Sequence, residues 1–128
     1  MTDWQWVDRT VALAAHREQL AEHGGGDGVR DQGPFESAMA RPQNLAVYGE
    51  PDAADLAASY AFGLARNHPF VGGNKRTALV VCEAFLGLNG FRLDASNAEL
   101  AVLFLALASV ELTETELGVW LRDRLITS

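Results

Sequence analysis

His68-Pro69-Phe70-Val71-Gly72-Gly73-Asn74-Lys75-Arg76-Thr77 is the stretch that decides the reading of this chain. Its two glycines and Asn74 read as a loop passing into a long apolar helix that runs from about Asn74 to Leu88. A helix N-terminus carries partial positive charge and four N–H groups without intrahelical acceptors, so it favours acidic side chains over cations. Here Lys75 and Arg76 stand side by side in the first turn. Local conflict of this kind marks functional sites. A phosphate seated on the free N–H groups and clamped by both cations resolves it. Arg76 suits phosphate as a planar fork and Lys75 as a point charge. Gly73 and Asn74 let backbone N–H groups come close to phosphate oxygens, where a side chain on the glycine would obstruct. Singly, a histidine before a proline and two solvated cations are ordinary features. Gathered on one loop they predict a site for a phosphorylated ligand, with His68 beside it.

Outward from this loop the periodicity is helical almost throughout. Asp8 is placed as an N-cap, and Val11, Ala14, Ala15, Leu20 and Ala21 suggest the inner face of a first helix stopped by Gly24-Gly25-Gly26. His16, in the middle of that helix, faces solvent or packs. Pro34 reads as a first-turn proline of a short helix through Ala40, which Pro42 would end. Gln43 to Glu50 reads as extended or irregular, with strand character at Leu45, Val47 and Tyr48 but no partner strand. Asp52 opens a helix to about Arg66, with Leu56, Tyr60, Ala61 and Leu64 on one stripe. Arg66 either favours that helix's C-terminal dipole or reaches toward a phosphate.

The motif helix is apolar nearly all round, so it should be buried, and Asn89-Gly90 should close it. Ser96-x-x-Glu99 and Thr113-x-x-Glu116 are capping boxes, each opening a further helix. The sequence therefore predicts an all-α domain of about six helices around the buried motif helix, in one unit over residues 1–128.

Composition bounds the function. The chain has 128 residues, enough for one core, and 48% are hydrophobic. A net charge of −7, from 17 acidic and 10 basic residues, argues against direct nucleic-acid binding. The single cysteine, Cys82, excludes an internal disulfide and, on an apolar helix, reads as a small core residue. No signal peptide is visible at Met1-Thr2-Asp3-Trp4, and the apolar run Leu100 to Val110 is too short to cross a membrane, so a cytoplasmic protein is expected. His23-Gly24-Gly25-Gly26 has no accompanying G-x-S-x-G nucleophile turn, and neither a P-loop nor paired-histidine zinc spacing occurs.

The motif resembles the central H-P-F-x-(D/E)-G-N-(G/K)-R signature of the Fic superfamily. Lys75 followed by Thr77-Ala78-Leu79 resembles its death-on-curing (Doc) branch, the toxins of toxin–antitoxin pairs. Ala21 to Gly25, Val29-Arg30-Asp31, Glu36-Ser37-Ala38, Ala40-Arg41-Pro42, Asn89-Gly90-Phe91 and Glu111 to Leu121 are similar to that family too. The resemblance implies a Fic/Doc-type bundle and a protein kinase that moves the terminal phosphate of ATP to a threonine of elongation factor Tu, arresting translation. It implies His68 as general base, Phe70 as loop anchor, and Gly73, Asn74, Lys75 and Arg76 around the nucleotide phosphates. It also implies Mg²⁺ held by an acid where this chain has Gly72, so weakened or absent transfer is expected unless a residue elsewhere, such as Asp31, holds the metal. The alternatives are an AMP transferase, which a glycine at the Lys75 position would favour, and a catalytically dead partner-binding module. Self-restraining Fic proteins carry an inhibitory S/T-x-x-x-E-G/N helix. None is present, so the expected inhibitor is a Phd-like antitoxin acting in trans, docking near the motif loop and Leu45–Tyr48.

Overall fold

The computed structural model describes residues 3–109 and 111–128; Val110, at the end of the apolar run, lies outside them, as do Met1 and Thr2. Among the described residues the chain forms six helices: α1 (Arg9–His23), α2 (Gln32–Tyr48), α3 (Ala53–Asn67), α4 (Asn74–Leu88), α5 (Asn97–Ala108) and α6 (Glu114–Arg124). Two short strands, β1 (Phe91–Leu93) and β2 (Leu125–Thr127), pair antiparallel with Arg92 opposite Ile126. The protein is thus all-α with one small ribbon. None of its described helices is long and apolar enough to cross a membrane.

The helix boundaries follow from capping chemistry. Asp8 accepts the Thr10 N–H at 3.1 Å, and Gly24, at φ 76°, ends α1 with its N–H on Leu20 O. Asp52–Asp55, Ser96–Glu99 and Thr113–Glu116 form reciprocal capping boxes on α3, α5 and α6. Backbone N–H donation at those caps lowers the Glu99 and Glu116 carboxyl pKa values. The motif helix α4 spans the predicted residues and ends at Asn89, whose side chain exchanges two hydrogen bonds with the Gln5 backbone.

α3 is buried on nearly every side and packs against α2, α4, α5 and α6, while α4 packs against α3, α1, α5 and β1. The α2–α3 crossing is close: a Cβ on Gly63 would lie 3.2 Å from Ala38 Cα, so glycine permits the approach there. Tyr60 lies inside, its hydroxyl bonded to Val7 main chain, and burial raises its pKa. Trp4 and Trp6 cover Phe85 at ring distances of 6.0 and 5.9 Å. Cys82 is fully buried and burial raises its thiol pKa, as befits a core residue.

Two local expectations are corrected. α1 turns Ala12, Ala15 and His16 inward, whereas Val11, Ala14 and Ala21 are exposed. α2 does not stop at Ala40 but continues through Pro42 to Tyr48, and Gln43–Tyr48 is helical. Phe35, Ala38, Met39 and Pro42 form its buried stripe at i, i+3, i+4 and i+7, so the proline ring adds apolar burial that offsets its missing N–H. Leu45, Val47 and Tyr48 are exposed at the end of α2 remote from the motif loop, about 20 Å along the axis from its first turn at 1.5 Å per residue. The β1–β2 ribbon is an addition to the all-α reading and leaves it standing: two three-residue strands are too short to show a period.

α6 is tied to the start of α3 by Arg122, which donates to Asp52 at 2.7 and 3.1 Å and to Asp55 at 2.8 Å. Hydrogen bonds from Arg122, outweighing the opposing effect of burial, hold the Asp52 pKa at about 2, below its usual 3.8. This pairing therefore stabilises the fold fully above about pH 4 and is lost as the pH falls through about 2. Replacing Arg122→Ala is expected to cost about 0.5–1 kcal/mol at neutral pH, since the partners are half exposed. Urea unfolding of both proteins at falling pH checks this, and the two stabilities should converge towards pH 2.

Candidate functional site

The motif loop joins the C-terminus of α3 to the N-terminus of α4, and three sets of contacts shape it. The first is internal. The Asn74 side chain accepts the Phe70 N–H at 2.9 Å and donates to Phe70 O at 3.0 Å, closing the loop on itself. Asn74 is therefore engaged through its side chain, and only its backbone N–H faces a ligand position. Phe70 is fully buried, with its ring stacked on His16 at 3.9 Å and tilted against Phe35 at 5.6 Å.

The second set comes from α1. His16 is 2% exposed, and its Nε2 lies 2.8 Å from Gly72 O. A carbonyl only accepts, so Nε2–H donates.

The third comes from the segment between α1 and α2. Arg30 and Asp31 N–H groups donate to Pro69 O at 2.7 and 3.2 Å, and Val71 N–H donates to Gly28 O at 3.1 Å. Val29 bridges Phe70, so residues 26–31 form a strap along the loop. The Arg30 guanidinium donates to His68 O at 2.7 Å. His68 itself has φ 48° and ψ 52°, the only described non-glycine residue with positive φ. Strain of this kind persists only where surroundings enforce it, and it concentrates at functional positions. The His68 side chain is exposed at the loop mouth.

Gly73, at φ 74° and ψ 21°, is the N-cap of α4 and contributes no side-chain cap. The first helical bond runs from Thr77 N–H to Gly73 O. The N–H groups of Asn74, Lys75 and Arg76 therefore point out of the helix end without intrahelical acceptors. A left-handed residue followed by a right-handed one turns successive N–H groups into a common concavity, an anion-binding nest. Lys75 and Arg76 are exposed beside it, and among the described residues neither enters an ion pair. Next to both cations lies a groove of about 450 Å³, lined by Leu79, Val80, Ala101, Phe104 and Leu105 with Gln19 and His23 at its rim.

Arg66 stands in the last turn of α3, as the dipole reading expects, but does not reach the motif loop: it donates to Leu107 O and Leu112 O at 2.7 and 2.9 Å and stacks on Phe62, holding the end of α5.

Residue 72 does not fit a metal ligand. Gly72 has no donor side chain, and a Cβ built there would lie 2.8 Å from Gly26 N and 3.5 Å from Gly26 O. The strap backbone thus fills the place where a carboxylate stem would leave the chain. Gly26 is constrained in turn, because a Cβ there would overlap Val71 Cγ1. Asp31 reaches the loop by its backbone but its side chain is exposed and makes no cap bond. Among the described residues, no three His, Cys, Asp or Glu side chains converge on a metal position.

Sequence reasoning located the loop but missed His16, Arg30 and Gly26. The signal for His16 was the alternative α1 stripe Ala12-Ala15-His16, which admits a polar residue to the interior. Val29-Arg30-Asp31 is similar to the family, but nothing local gives Arg30 or Gly26 its role, since the partner of Arg30 is His68 and the neighbours of Gly26 are Val71 and Gly72, all distant in the chain.

A strained histidine loop, clamped by an asparagine and running into a cation-bearing helix start within an all-α bundle, defines the class. The chain belongs to the Fic/DOC family, whose profile matches residues 6–86. It is 48% identical over 94 residues to Toxin Doc of Mycolicibacterium smegmatis, covering 71% of this chain and 69% of that protein. It is 34% identical over 111 residues to Protein kinase doc of Escherichia phage P1, covering 86% and 87%.

The interlock of Gly72 with Gly26 predicts that Gly72→Ala destabilises the fold by about 1–3 kcal/mol through overpacking, not through φ strain. Gly87→Ala, on α4 with open space around it, should instead stabilise by about 0.5–1 kcal/mol. Denaturant midpoints of the two variants test the contrast.

Proposed function

We propose that this chain is a Doc-type toxin that transfers the terminal phosphate of ATP to a hydroxyl of elongation factor Tu, at a weakened rate. The observation that carries the reading is the left-handed Gly73 opening α4, with Lys75 and Arg76 on its first turn and His68 at the mouth. Phosphate oxygens would sit on the N–H groups of Gly73, Asn74 and Lys75, with Arg76 as a fork and Lys75 as a point charge. His68 takes the proton of the attacking hydroxyl. The hydroxyl oxygen then bonds the terminal phosphorus as the bridging P–O bond breaks, and ADP leaves. Transfer is weak because residue 72 offers no carboxylate to neutralise the phosphates through Mg²⁺. Similarity to a protein named a toxin and to one named a protein kinase supports this reading.

A second reading, a partner-binding module without catalysis, is favoured by the packing of Gly26 against Gly72. Transfer of AMP is opposed by Lys75, and the fate of label in ATP separates it from phosphate transfer. Purified chain, ATP, Mg²⁺ and elongation factor Tu should give a slow mass gain of one phosphate on the factor, abolished by His68→Ala. No gain with folded protein would leave the binding module as the answer. Nucleotide affinity without metal should fall about tenfold in Arg76→Ala, the loss of one charge-assisted clamp, by calorimetric titration.

Inhibition is proposed to come in trans from a Phd-like antitoxin segment that folds on binding. Its place is the groove between α1, α4 and α5, not the remote end of α2 at Leu45–Tyr48. The apolar floor suits the face of an amphipathic helix, and Lys75, Arg76 and His23 suit acidic residues flanking it. Leu105→Asp is expected to weaken antitoxin binding more than ~10-fold in a pull-down titration, and Val47→Asp to leave it unchanged.

A further inference from the structure

We infer that His16, buried in α1 and outside the family signature, is a positioning residue that aims the first phosphate-binding N–H of the loop. The inference rests on the phosphate reading of the loop given above. Gly72 C=O and Gly73 N–H belong to one planar trans peptide, in which the two groups point in opposite directions. His16 Nε2 holds that carbonyl at 2.8 Å. The Gly73 N–H is thereby turned away from α1, as the first donor of the nest that Gly73 and Asn74 form.

Glycine at both 72 and 73 makes this peptide the freest in the loop, so it needs an external hold. The Phe70–Asn74 pair fixes the backbone on either side but bonds neither group of the 72–73 peptide. His16 is itself fixed: it is 2% exposed, and its ring lies parallel to Phe70 within 9° at 3.9 Å. A ring clamped by stacking delivers its hydrogen bond from one direction only. The same side chain thus joins the hydrophobic anchor of the loop to its polar lip.

Inorganic phosphate is the probe, and the backbone amides of Gly73, Asn74 and Lys75 are followed by ¹⁵N NMR. In the wild-type chain all three should shift on titration. His16→Phe keeps the aromatic stack but has no donor. It should weaken phosphate binding about tenfold, the value of one hydrogen bond to a charged group, and suppress the Gly73 shift most. His16→Gln, with a carboxamide donor, should recover part of both. Equal binding by His16→Phe and wild type, with the variant folded, overturns the inference while leaving the phosphate reading intact. A wild-type chain that shifts none of the three amides overturns the phosphate reading itself. Should His16→Phe not fold, the imidazole ¹⁵N shifts of the wild type decide. An Nε2–H tautomer at neutral pH supports the bond to Gly72, and an Nδ1–H tautomer refutes it.

Discussion

The reciprocal pair of hydrogen bonds between the Asn74 side chain and the Phe70 main chain is the constraint on which the site depends. Both residues are buried, so neither bond competes with water, and losing either partner would strand polar groups in the interior. The pair closes five residues, Phe70 to Asn74, into a ring; the left-handed His68 lies two residues before it and the left-handed Gly73 lies within it. Phe70 then fastens the ring to the core through Phe35 and His16. The exposed face of the loop is thus held in large part from its buried face. That is the arrangement a preformed anion site requires, since a floppy nest would lose to ordering entropy much of what it gains in hydrogen bonds.

The strap from Gly26 to Asp31 adds a second level. It pairs with Pro69 and Val71 by main-chain bonds, so its attachment is largely indifferent to side chains. Its closeness is not indifferent. A side chain on Gly72 would meet the Gly26 backbone, and one on Gly26 would overlap Val71, so each position tolerates little beyond a hydrogen. The glycine at 72 is therefore more than the absence of an acid: the neighbouring backbone has taken the space. Chemistry and packing are coupled at this point, and a carboxylate restored at residue 72 would have to displace main chain before it could act.

How much of this was legible in the sequence depends on the distance over which each feature is encoded. The span of α4, the caps of α1, α3, α5 and α6, and the loop with its two cations are local patterns, and all were readable within a few residues. The interior face of α1 was not. Ala12, Ala15 and His16 and the set Val11, Ala14, Ala15 describe competing stripes, and hydrophobicity favours the wrong one because the true stripe includes a histidine satisfied by Gly72 O. Pro42 misled for a related reason. Its helix-breaking cost is fixed locally, whereas the burial that offsets it comes from packing against α3. Gly26 carries no signal at all until the chain has folded.

The charge of the molecule also becomes intelligible. Net −7 would suggest a protein hostile to phosphates, yet several acids work as helix caps: Asp8, Asp52 with Asp55, Glu99 and Glu116 compensate the N-termini of α1, α3, α5 and α6. The N-termini of α2 and α4 receive no side-chain cap. Both adjoin the motif loop, α4 by continuing from it and α2 through the Asn67 side chain on Pro34 O and the Asp31 N–H on Pro69 O. The N-terminus of α4, which has no acid at its cap or in its first turn, is thus gathered with Lys75, Arg76 and Arg30 at one place in an otherwise acidic protein. At physiological ionic strength the remote carboxylates are screened over about 8 Å, whereas these groups lie against the loop. The cations and open helix end at the motif are thus what the capping acids elsewhere leave uncovered, in a chain whose net charge has the opposite sign.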